Sequence, residues 1–81
     1  MNQIVECVPN FSEGRREKTI EQIVSTLEQV PGNQVLDVQS DADHNRTVVT
    51  MVGTPEAVAE AAFQGAAIAA QLEGTQDRSV Q

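Results

Sequence analysis

The run TVVTMV, from Thr47 to Val52, is β-branched almost throughout and carries no charge. A strand of this composition belongs in the interior of a sheet. The rest of the chain must therefore supply its neighbours. The run breaks at Gly53, and Thr54-Pro55-Glu56 follows as a helix start. Thr54 caps, Pro55 sits where its missing N–H does no harm, and Glu56 favours the positive end of the helix dipole. That helix is expected to reach about Leu72, with Val58, Ala61, Ala62, Gly65, Ala69 and Leu72 on one apolar face. Its Ala and Gly residues let the helix axis approach a sheet closely.

The neighbours are found upstream. Gln3 to Val8 (QIVECV) reads as a first strand that stops at Pro9, and Val35 to Gln39 (VLDVQ) as a second, with Leu36 and Val38 alternating against Asp37 and Gln39. Between them, from about Gly14 to Val30, apolar residues at Ile20, Ile23, Val24, Leu27 and Val30 keep the spacing of one helix face. Pro31-Gly32-Asn33 ends that helix. The order strand, helix, strand, strand, helix, with the first strand paired in parallel, predicts most of an α+β, ferredoxin-like βαββαβ sheet lacking its last strand. In a ferredoxin-like order the first and third strands pair antiparallel. Right-handed crossover places both helices on one face of the sheet, and nothing in the sequence covers the other. Residues 1–72 are expected to form this unit and residues 73–81 (EGTQDRSVQ) a frayed tail.

Composition narrows the function. Eighty-one residues bury a modest share of their surface, so stability is marginal and a partner subunit, a second domain or a ligand is expected. The formal charge of −7 repels a phosphate backbone and an anionic membrane alike. No apolar run approaches the ~20 residues of a membrane span, and MNQIVECVPN does not resemble a secretory leader. The expectation is a soluble, cytoplasmic chain that binds neither nucleic acid nor membrane. Cys7, the one cysteine, falls in the first strand pattern and reads as a core residue.

Two polar stretches remain for chemistry. The first is the strand-to-helix junction ECVPNFSEGRR, where Ser12 can cap the helix and the backbone near Glu13-Gly14 can offer N–H groups to an anion; its plain reading is a turn and a cap made by Asn10, Ser12 and Gly14. The second is SDADHNR, Ser40 to Arg46. His44 could serve as an acid or base, although a lone histidine in a polar loop is ordinarily just solvated, and no orienting partner is evident. Arg46 could clamp a carboxylate with its planar fork, or pair with Asp41 or Asp43. Asp41, Asp43 and His44 are spaced too tightly to predict a metal site. Whether the two stretches meet is left open by the sequence.

Taken together, VECVPNFSEGRR, LDVQSDADHNRTVVTMVGTPEAV and their separation resemble the start of the glutamate formimidoyltransferase (formiminotransferase) N-terminal subdomain, over Gln3 to about Leu72. The resemblance implies a transferase of histidine breakdown that moves a formimidoyl group from N-formimidoylglutamate to N5 of tetrahydrofolate, built from two similar α/β subdomains with the folate cleft between them, and dimeric. By position it brings Asn10, Ser12, Glu13 and Gly14 and then Asn45, Arg46 and Thr47 into the family's motifs, and Asn10, Ser12, Glu13, Gly14, Asn45 and Arg46 are the candidate substrate or folate contacts. His44 is the weak catalytic candidate. Two departures matter. Gln39 stands where some relatives are acidic, and EGTQDRSVQ stands where the family runs into a strand and the H-P-R segment carrying its catalytic histidine. The resemblance therefore implies the N-terminal part of such an enzyme, inactive alone and completed by a C-terminal subdomain. The alternative is a stand-alone, non-catalytic module that dimerises through its open sheet face or binds a ligand.

Overall fold

The computed structural model describes residues 3–73, which form β1 (Val5–Cys7), β2 (Asn10–Phe11), α1 (Glu17–Glu28), β3 (Asn33–Asp41), β4 (Arg46–Gly53) and α2 (Pro55–Glu73). β4 contains the TVVTMV run and is the centre of one antiparallel sheet, pairing with β1, β2 and β3. β1 and β2 lie along the same side of β4 in a single unbroken register, from Val5 opposite Gly53 through Cys7 opposite Met51 to Asn10 opposite Val48 and Phe11 opposite Thr47. They are one edge strand interrupted by Pro9. The proline has no N–H to give, yet its carbonyl still accepts from the Val49 N–H at 3.1 Å. The expected stop at Pro9 is thus a gap, and the strand carries Asn10 and Phe11 onward before the chain turns.

β3 forms the other edge, hairpinned to β4 and parallel to β1 only across that central strand. Among the described residues no strand pairs in parallel, which corrects the parallel pairing expected of β1 and agrees with the antiparallel ferredoxin-like order. A register shift between Val35 and Asp37 places Leu36 in a bulge. This overturns the regular alternation expected of VLDVQ, because the extra residue leaves Leu36 exposed on a strand edge.

Both helices cover one face of the sheet. β4 alternates, with Thr47, Val49, Met51 and Gly53 buried beneath the helices and Val48, Thr50 and Val52 only half-buried on the far side. Ile23 and Leu27 of α1, and Ala57, Val58, Ala61 and Ala69 of α2, meet Phe11, Val49 and Met51 in the core. Gly65 makes this packing possible, since a Cβ there would come within 2.7 Å of Leu27 Cδ2 and 3.2 Å of the Phe11 ring. Thr54 caps α2 as expected, its Oγ1 accepting from the Ala57 N–H at 3.1 Å. The start of α1 differs. Its N-cap is Arg16, without a side-chain cap bond, so Ser12 does not cap and the helix begins at Glu17. Glu73 closes α2; the rest of the expected tail, 74–81, lies outside the described residues.

Candidate functional site

The strand-to-helix junction and the β3–β4 hairpin, left apart by the sequence, are locked together. Phe11 lies opposite Thr47, which carries the chain at Ser12–Arg16 past the turn end of the hairpin. There the Gly14 N–H donates to Asn45 Oδ1 at 2.9 Å, and the Thr47 hydroxyl donates to the Glu13 carbonyl while also meeting Ser40 Oγ at 3.0 Å. Arg15 Nε donates to the Ala42 carbonyl at 2.9 Å. Gly14 is packed so tightly that a Cβ would fall 2.5 Å from the Asp41 carbonyl oxygen and 2.7 Å from that of Arg46. Asn45 holds a left-handed backbone (φ +52°), a conformation that asparagine tolerates better than most residues.

Glu13 is the anchor on the junction side. The residue is 3% exposed, and its Oε1 accepts from Arg16 Nε and Nη2 at 3.0 and 2.7 Å, while Oε2 accepts from the Arg16 and Arg15 N–H groups at 3.0 and 3.3 Å. Burial by itself raises its pKa. The bonds from the Arg16 side chain and from the N–H groups of Arg16 and Arg15, with the Arg16 charge, outweigh burial and hold the carboxyl below its ordinary value.

At the hairpin tip, Asp41 organises the turn. Its Oδ1 accepts from the Asp43 and His44 N–H groups at 3.0 and 3.3 Å, and the His44 Nδ1–H donates to Oδ2 at 2.6 Å. The Asn45 N–H closes the turn on the Ala42 carbonyl at 3.2 Å. The bond from the His44 ring, opposed by partial desolvation and aided by the His44 N–H and ring charge and the Asp43 N–H, keeps the Asp41 carboxyl below its ordinary value. His44 therefore has the orienting partner that the sequence did not reveal. Arg46 is exposed and, among the described residues, forms no ion pair with Asp41 or Asp43. A third grouping lies on the uncovered face. Asn10 and Gln39 flank Val48 in one row across the sheet, and Gln39 Nε2 donates to Asp37 Oδ2 at 3.1 Å.

The family described as formiminotransferase domain, N-terminal subdomain, matches residues 4–75. The chain belongs to the formiminotransferase N-terminal subdomain family. It is 52% identical over 64 residues to a glutamate formimidoyltransferase of Streptococcus pyogenes serotype M1, covering 79% of this chain and 21% of that one. It is 50% identical over 72 residues to a formimidoyltransferase-cyclodeaminase of Rattus norvegicus, covering 89% and 13%. A glutamate formimidoyltransferase of Thermoplasma acidophilum is 42% identical over 69 residues, covering 85% and 23%. The chain thus spans less than a quarter of the length of these relatives.

Within this formiminotransferase subdomain, the candidate residues separate into two groups. Glu13, Gly14 and Asn45 join the junction to the hairpin through the Glu13 carbonyl, the Gly14 N–H and Asn45 Oδ1, and the Glu13 carboxylate holds Arg16. Asn10, Ser12, Arg46 and His44 are exposed around the same corner. The corner also holds Arg15, the Asp41 carboxylate as the partner of His44, and Gln39 beside Asn10, none of them a site residue expected from the sequence. An Asp opening a short polar turn is the recognisable signal for the Asp41 bonds; the other two arise from register between distant segments and have no local signal.

Proposed function

We propose that this chain is the N-terminal portion of a folate-dependent formimidoyltransferase, which transfers a formimidoyl group from N-formimidoylglutamate to N5 of tetrahydrofolate in the cytoplasm as a step of histidine breakdown. The observation that carries the reading is the meeting of the polar corner with the uncovered sheet face. Asn10, Gln39 and Arg46 border a surface that no other described element shields, as half of a cleft would. Asn10, Ser12 and Arg46 offer hydrogen bonds to substrate or folate, while Glu13, Gly14 and Asn45 keep those groups in place. Transfer at an amidine carbon needs fixed reactants and excluded water. A corner this exposed excludes little water, so these 81 residues alone are expected to hold ligand weakly and not to turn it over.

The test is calorimetric titration of folinic acid into the chain alone and into the chain mixed with the remainder of a glutamate formimidoyltransferase. Tightening of about tenfold or more on mixing, with turnover only in the mixture, is the expected result. Useful turnover by the chain alone, or no binding in either sample, overturns the reading. One observation favours a second reading, a module that dimerises through its bare sheet: Val8, which alternates with Cys7 onto that face, is 48% exposed. A stable dimer in light scattering with no folate response would select it.

A further inference from the structure

The chain's basic groups are unevenly placed. Arg15, Arg16, Lys18 and Arg46, four of the five Lys and Arg residues, and the single histidine belong to the junction, the first turn of α1 or the hairpin end. Glu13, Glu17, Asp41 and Asp43 balance the four in the same region, so the whole formal charge of −7 resides elsewhere. An anion repelled by the rest of the molecule meets a neutral corner with exposed donors. Arg16 is committed to Glu13. Arg15 is exposed, and its bond to the Ala42 carbonyl uses Nε alone. That bond pins the guanidinium to the turn that holds His44, whose Nδ1 faces Asp41 and whose side chain is 70% exposed.

We propose that Arg15 and His44 form a carboxylate subsite at the hairpin tip, Arg15 offering its two Nη groups and the His44 imidazolium its Nε2–H. This deepens the proposed function and rests on it: the ligand chemistry is a glutamate carboxylate, which both formimidoylglutamate and the folate tail carry. Arg15 is pre-positioned by its Nε bond and His44 by Asp41, so little side-chain freedom remains to be lost on binding. Asp41 is a positioning residue. The charged groups around the subsite are Asp41, Asp43, Arg46 and Glu13. Asp43 opposes an anion and Arg46 favours one, while Asp41 and Glu13 are already matched to His44 and Arg16.

The experiment is an NMR titration of the isotope-labelled chain, following the Arg15 Nε–H and the His44 ring, with glutamate, p-aminobenzoylglutamate and inorganic phosphate as separate probes. Saturable shifts of both groups with the two glutamate-bearing probes are expected, since with its Nδ1–H given to Asp41 the ring meets a carboxylate through Nε2–H. A response to p-aminobenzoylglutamate alone assigns the folate tail as the source, and a response to both allows either. Arg15→Gln and His44→Gln should each weaken binding about tenfold, and Arg15→Lys should recover only part of the loss because it lacks the fork. Shifts confined to Asn10 and Gln39 overturn the subsite while leaving the proposed function standing. Equal shifts with phosphate, or none at Arg15 and His44, also overturn it.

Discussion

Gly14 and Ser12 stand two residues apart in the same junction and have opposite tolerances. Gly14 is walled in by the backbone of Asp41 and Arg46. Backbone cannot yield as a side-chain tip can, so Gly14→Ala must separate junction from hairpin or unfold the chain. We expect it to cost more than about 4 kcal/mol, enough in a domain this small to erase the cooperative transition in urea. Ser12 is exposed and caps nothing; Ser12→Ala should stay within about 0.5 kcal/mol of the parent in the same assay. Glu13 adds a pH dependence. A carboxyl held down by folding stabilises the native state above its ordinary range, and that contribution is lost as pH falls through the lowered folded value. Unfolding midpoints of the parent and Glu13→Gln should therefore differ most at neutral pH and converge in acid. A gap that widens in acid would show that burial, rather than the Arg16 and Arg15 bonds, governs this group.

At the scale of elements, Thr47 joins three segments: β4 by its backbone, the junction through the Glu13 carbonyl and β3 through Ser40. It is 1% exposed. Thr47→Val keeps the shape but leaves the Glu13 carbonyl without its donor, at a cost of about 1–3 kcal/mol. Thr47→Ser keeps the hydroxyl and should cost less, read as denaturant midpoints. The elements themselves were legible where local chemistry acts: Pro31-Gly32 ends α1, Thr54-Pro55 starts α2, and the 3.6-residue spacing marks Ile23, Leu27, Val58, Ala61 and Ala69 as buried. Pro9 misled because a lost N–H breaks one ladder bond while the carbonyl keeps another. The start of α1 misled because Gly14 is held by Asn45, 31 residues away. Leu36 is exposed because a bulge reset the register, which no hydrophobic pattern encodes.

For the molecule as a whole, the question is which side of the sheet is spoken for. Cys7 and Val8 are adjacent on the edge strand and point to opposite faces: Cys7 packs beside the core, while Val8 lies on the uncovered face. A charge buried without a partner is costly, whereas one on an open strand surface is cheap and can even protect an edge. Cys7→Lys should therefore unfold the isolated chain, and Val8→Lys should shift its urea midpoint by no more than about 0.5 kcal/mol. The same Val8→Lys change, placed at the equivalent position of a full-length formimidoyltransferase, separates two accounts of the bare face. If the remainder of such an enzyme lies against it, the lysine is buried there and stability drops by several times the loss seen in the isolated chain. If the substitution is equally mild in both settings, the face is open in the complete protein as well, and the cleft must be closed from the hairpin corner instead.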